Sequence, residues 1–130
     1  MPSHLHLIAS VNDDLDSVTL SDIMRDFKKF TSKEIIKTIQ NIPESRREWL
    51  LDKFEFAGRH NPKIKNYQFW QEGIHPISVT SNKFIDQKLN YIHQNPVEAG
   101  FVYSAENYVL SSASAYAGEL PALVDVIFLR

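Results

Sequence analysis

The chain contains no cysteine, which excludes a disulfide scaffold, a thiolate metal site and a cysteine nucleophile, and which suits a cytoplasmic protein. It has no apolar run of membrane-spanning length and no basic region followed by a hydrophobic stretch at its start, so a soluble chain with no membrane partner is expected. Internal repeats, low-complexity tracts and clear linkers are also lacking. The sequence of 130 residues therefore reads as a single domain over 1–130, long enough to bury a core without covalent staples. There is no excess of positive charge either. The net charge of -2 argues, taken as an average, against a nucleic-acid partner.

The average hides a segregation. Of the 14 basic side chains, all but three fall between residues 25 and 65, whereas residues 98–130 carry four acids and only Arg130. Lysines that merely solvate helix surfaces would give the same count, so composition alone does not choose between that reading and a phosphate-binding region.

What is present along the chain divides by periodicity. Residues 4–11 alternate as a strand does, with His4 and His6 on one face and Leu5, Leu7 and Ala9 on the other, core-facing side. The loop Asn12-Asp13-Asp14-Leu15-Asp16-Ser17 follows. From Leu20 the apolar positions Leu20, Ile23, Met24, Phe27, Phe30 and Ile35 predict a helix, capped by Thr19 or Ser21, with Arg25, Lys29 and Lys33 on its basic outer face. Pro43 suits the first turn of a second helix, whose apolar face is Trp49, Leu50, Phe54 and Ala57 and whose end is Gly58. A basic loop with Lys63 and Lys65 leads to a second strand around Tyr67–Gln71. Ser81 or Asn82 then caps a helix that is expected to stop near Asn95, because Pro96 disfavours helical geometry in the residue before it. The tail, apolar from Leu120 to Leu129, reads as irregular packing with one short element.

On the last helix Ile85, Leu89 and Ile92 form the core stripe. Tyr91 and Asn95 lie one turn apart on a face about 100° away. Two imidazoles on one strand face can share a divalent cation, and a phenol beyond them can serve as a nucleophile. Each has a bland counterpart: surface histidines near a chain end, a half-buried aromatic on an amphipathic helix, and an Asn-Pro pair that ends a helix.

The segments Pro2-Ser3-His4-Leu5-His6-Leu7, Ser21–Lys28, Gln68-Phe69-Trp70-Gln71 and Tyr91-Ile92-His93-Gln94-Asn95-Pro96-Val97-Glu98-Ala99-Gly100 together resemble the single-tyrosine transposases of the HUH class, particularly the REP-associated tyrosine transposases. The resemblance implies an α+β fold, a ferredoxin-like antiparallel sheet flanked by helices. It further implies metal-dependent cleavage and rejoining of single-stranded DNA through a 5'-phosphotyrosine. Tyr91 would be the nucleophile, and His4, His6 and Asn95 would hold Mg²⁺ or Mn²⁺, although imidazoles alone would also accept zinc. Family members place a strand, a helix and another strand ahead of the histidine motif, so the sheet is expected to be incomplete at the N-terminal end. Its exposed edges would leave room for a homodimer.

Single-stranded or hairpin DNA would meet the chain at Arg25, Lys29, Lys33, Lys63 and Lys65. Trp70 is a candidate for stacking on unpaired bases. The competing expectation is a non-catalytic, decayed DNA-binding relative of such transposases.

Overall fold

A computed structural model describes residues 3–12, 14, 16–119 and 122–129. Met1 and Pro2 of the histidine motif, Asp13 and Leu15 of the expected loop, Leu120 and Pro121 of the tail, and Arg130 lie outside the described residues. The chain gathers into two compact units, one made of Ala9–His75 and the other of Met1–Ile8 together with Pro76–Arg130.

The Ala9–His75 unit is built on α1 (Leu20–Asn41) and α2 (Arg47–Arg59). Helix α1 starts on a capping box. The Thr19 hydroxyl accepts from the Asp22 amide at 3.2 Å, and the Asp22 carboxylate accepts from the Thr19 amide at 3.1 Å, which satisfies two donors that no helical carbonyl could reach. The helix ends at Ile42, held extended (φ -93°, ψ 157°) because the next residue is Pro43. Pro43 thus terminates α1 instead of opening α2, which begins at Arg47. The Arg47 guanidinium donates to the carbonyls of Ile39 and Ile42, giving the C-terminal end of α1 the cation that its own last turn lacks.

The segment after α2 is irregular, yet it is the packing centre of this unit. Trp70 lies against Phe27, with ring centroids 6.0 Å apart, and edge-on to Phe69 at 5.2 Å. Phe69 in turn meets Phe54 of α2 at 5.2 Å. The Trp70 indole N–H donates to the Thr31 hydroxyl at 2.9 Å, and the Gln68 amide donates to the Phe54 carbonyl at 2.9 Å. The buried Gly58 lies inside α2, not past its end. It has no Cβ where the Asn66 backbone crosses: a Cβ there would overlap the Asn66 carbonyl oxygen and lie 3.1 Å from its carbon.

In the other unit α3 (Asn82–Glu98) is capped by Ser81, whose hydroxyl accepts from the Phe84 amide at 3.3 Å. The helix does not stop at Asn95. Pro96 is buried within it, where its missing N–H costs one helical hydrogen bond, and the helix closes one turn later on Gly100. There φ is +74°, the Gly100 amide donates to Val97 at 2.9 Å and the Phe101 amide to Pro96 at 2.9 Å. Those are the two bonds of a Schellman motif. A 3₁₀ turn (Ala105–Asn107) and a short α4 (Ala113–Tyr116) follow. Among the described residues the buried apolar side chains are few, Ile36, Ala105, Ala113 and Pro96, so most apolar contacts are made by half-buried rings and aliphatic chains.

The ferredoxin-like antiparallel sheet is not present. Helix makes up 48 % of the structure, and no strand occurs among the described residues. The two segments that alternate, residues 4–11 and Tyr67–Gln71, form no ladder. Period-two alternation decides which side chains share a face, but a sheet also requires a neighbouring backbone to pair each N–H and C=O. Phe69 and Trp70 of the second segment instead pack on α2 and α1. Leu5 and Leu7, expected to face the core, are 49 % and 54 % exposed.

Candidate functional site

His4, His6 and Tyr91 come together within one compact unit, although the segments that bear them flank the whole Ala9–His75 stretch in sequence. The His6 and Tyr91 rings meet edge to face, with centroids 6.0 Å apart and planes at 88°. His4 and His6 lie nearly parallel, with centroids 6.3 Å apart and planes at 17°, as side chains two positions apart on an extended backbone do. Both histidines are exposed, and Tyr91 is 53 % exposed, so an incoming substrate can reach all three rings.

Two imidazoles bound at about 2.1 Å to neighbouring or tetrahedral positions of one ion place their ring centroids about 4.5 to 5.5 Å apart. The 6.3 Å separation is wider than that, so the two rings would have to draw together to share an ion. His4 Nδ1 is 2.9 Å from the Ser3 hydroxyl, a hydrogen bond that occupies one ring nitrogen and leaves Nε2 free, as the outer contacts of metal-binding histidines do. Beyond the pair, no group of three or more His, Cys, Asp or Glu side chains able to hold a metal occurs among the described residues.

Asn95 follows Tyr91 by one turn of α3, but its side-chain nitrogen is enclosed and has no hydrogen-bond partner. An unmade buried amide donor is costly. The backbone around it is well occupied, since the Asn95 carbonyl accepts from Ala99 at 3.0 Å.

The expected DNA-contacting side chains belong to the Ala9–His75 unit. Arg25, Lys29 and Lys33 are exposed on α1. Arg25 is occupied, bridging Asp22 at 2.7 Å and Asp26 at 2.9 Å, and its hydrogen bond holds the Asp26 carboxyl below its ordinary range. Lys29 and Lys33 have no ion pair among the described residues. Lys63 and Lys65 are exposed in the loop after α2. That loop is not purely basic in its setting: Asn61 donates to the Glu72 carboxylate at 2.8 Å, and Glu72 and Lys63 line the same shallow recess. Trp70 is half-buried, with its N–H engaged by Thr31, and packs against Phe27 and Phe69.

Sequence reasoning missed a cluster behind Tyr91. His93 Nε2 lies 3.0 Å from the Ser112 hydroxyl and packs edge-on against Tyr116, with centroids 5.3 Å apart. Tyr116 meets Phe128 edge-on at 5.0 Å, and its hydroxyl accepts from the Leu129 amide at 3.0 Å. Burial holds His93 below the ordinary imidazole range, while Glu106 pulls it the other way. The signal for this tie was His93 lying two positions beyond Tyr91, rotated away from it on the helix. No helix among the described residues is long and apolar enough to cross a membrane. No family model matches the chain, and neither a curated protein nor a solved structure matches it.

Proposed function

We propose that the chain cleaves and rejoins single-stranded DNA by way of a covalent phosphotyrosine, as DNA transposition requires, with Tyr91 as nucleophile and His4 and His6 as the cation-binding pair. The observation that carries this reading is the edge contact between His6 and Tyr91, which places a phenol next to a two-imidazole face. In this reaction the Tyr91 oxygen forms a bond to phosphorus as the bond from phosphorus to the 3' oxygen breaks. The phenol gives up its proton, and the departing strand leaves with a 3'-OH. Attack by a different 3'-OH on the phosphotyrosine reverses the step and joins new strands, so no nucleotide cofactor is consumed.

A divalent ion, Mg²⁺ or Mn²⁺, would supply charge neutralisation at the scissile phosphate. His4 and His6 would hold it through their free ring nitrogens, leaving its remaining positions to phosphate oxygens and water. Ser3 would fix the His4 ring through its hydrogen bond. The exposure of Tyr91 lets a strand approach from solvent. The lack of cysteine fits a cytoplasmic setting, and the exposed Leu5 and Leu7 are the surface a homodimer would cover.

The test is incubation of the protein with single-stranded, hairpin-containing DNA and Mn²⁺ or Mg²⁺. A protein-DNA adduct that resists denaturant and disappears in Tyr91→Phe is expected. Absence of that adduct across both ions rejects the catalytic reading. A second reading, a DNA-binding relative without chemistry, is favoured by one observation: the histidine segment is not braced in any ladder. Salt-sensitive binding that survives loss of His4, His6 and Tyr91, with no adduct, would establish it.

A further inference from the structure

Helix α3 carries a cation whose surroundings supply no anion. Lys88 is half-buried, and its Nζ is held 5.0 Å from the centroid of the Phe84 ring, one turn earlier on the same helix. The face of an aromatic ring attracts an ammonium and fixes its place but leaves its full charge. Lys88 makes no ion pair among the described residues. Withdrawing a charge from water without a partner is unfavourable, so an ordered, unneutralised ammonium calls for an anion from outside the chain.

The nucleophile of the proposed reaction stands beside it. Lys88 and Tyr91 are three residues apart on α3, a spacing that places Cβ atoms about 5 to 6 Å apart. Helical side chains lean towards the N-terminus, so the Tyr91 ring reaches back over the turn that bears Lys88. His6 meets that ring edge-on at 6.0 Å, within the same compact unit. The acids of α3 are Asp86 and Glu98. At about 100° per residue Asp86 points about 140° away from Tyr91, and Glu98 follows Tyr91 by about 10 Å along the axis. The charge of α3 nearest to Tyr91 on its own face is therefore the Lys88 ammonium.

We propose that Lys88 is a second catalytic residue of the Tyr91 reaction: its ammonium contacts a non-bridging oxygen of the scissile phosphate and neutralises the charge that gathers there as the Tyr91 oxygen bonds to phosphorus. Its flexible four-carbon stem lets the ammonium swing from the Phe84 ring to the phosphate. Lys88 keeps its protons throughout. The phenol proton passes to solvent, and the 3' oxygen takes one up as its bond to phosphorus breaks. The inference rests on Tyr91 being the nucleophile, and it adds a fixed positive charge that neither the phenol nor a neutral imidazole supplies.

The chain contains no cysteine, which permits a test at the level of one charge. Lys88→Cys introduces a single thiol that can be alkylated in the folded, full-length protein. Bromoethylamine rebuilds a side chain of lysine length with its ammonium, and iodoacetamide gives a neutral one of nearly the same shape. Single-turnover adduct formation on hairpin-containing single-stranded DNA with Mn²⁺ is measured for both, and strand affinity is measured by anisotropy without divalent ion. The aminoethylated form should react within about tenfold of wild type and the neutral form roughly a hundredfold more slowly still, the scale of removing one preorganised charge contact. Affinities should differ by less than about threefold, since one phosphate contact among several carries little of the binding.

Equal rates in the two alkylated forms would overturn the proposal. A rate loss matched by an equal loss of affinity would overturn it too, because Lys88 would then be a general backbone contact. So would an aminoethylated form no faster than unmodified Lys88→Cys. Absence of adduct in wild type removes the catalytic reading and this inference with it, whereas an adduct in wild type with equal rates in the alkylated forms removes this inference alone.

Discussion

His6 and Tyr91 stand edge to face at 6.0 Å, and the contact joins a histidine from the start of the chain to a phenol on α3. If the contact marks a reaction centre, substitution of either partner should separate binding from chemistry. His6→Ala should lower the rate of adduct formation by on the order of a hundredfold, the scale of losing charge stabilisation at a phosphate, with oligonucleotide affinity changed little. Tyr91→Phe should abolish the adduct outright at equal affinity. Single-turnover rates on denaturing gels, paired with anisotropy, check both expectations.

Gly58 should tolerate no side chain. Because a Cβ would lie 3.1 Å from the Asn66 carbonyl carbon and 3.3 Å from Ile64 Cγ2, Gly58→Ala must push the loop away from α2. A loss of about 1 to 3 kcal/mol is expected, the usual penalty for overpacking. Urea unfolding measures it, and unchanged stability would mean that the two backbones do not approach as described.

Gly100 makes a milder and different demand. Nothing lies within 4 Å of a Cβ built there, and only its φ of +74° resists a side chain. Gly100→Ala should therefore cost about 1 kcal/mol, and Gly100→Asn, which accepts this conformation more readily, should cost less. Thermal melts of the two variants give the comparison.

His93 makes stability depend on pH in a defined direction. Burial lowers its folded-state pKa, so the unfolded chain takes up a proton first as pH falls. The stabilisation from holding His93 neutral is complete above its unfolded value of about 6.5 and is lost as pH drops from there towards the lower folded value. The melting temperature should fall on acidification through this window. His93→Gln, which can still bond to Ser112, should flatten that part of the profile.

The helices were legible because their signals are local. Thr19 or Ser21 reads as the cap of α1 and Ser81 or Asn82 as that of α3, and the capping bonds fall to Thr19 and Ser81. Features that failed to show were those decided by distant parts of the chain. The alternation of residues 4–11 put His4 and His6 on one side, yet could not say whether another backbone runs alongside, and the expected sheet came from the family resemblance and not from any pairing partner visible in the sequence. Pro43 reads as the first turn of α2, but it holds Ile42 extended and ends α1, and α2 begins only at Arg47. Trp49 and Phe54 looked alike as apolar helix residues. Packing against Phe69 draws Phe54 inward and leaves Trp49 outside. The convergence of His6 with Tyr91 was an expectation from the family resemblance, and no periodicity could have supplied it.

The unit that bears the histidines and the tyrosine is interrupted in sequence by all of Ala9–His75. Until that intervening stretch has folded, it is a long floppy loop whose closure weighs against bringing His6 to Tyr91, each doubling of such a loop adding about 0.6 kcal/mol. The order of events during synthesis is set as well: the histidines emerge before the intervening stretch, and Tyr91 only after it.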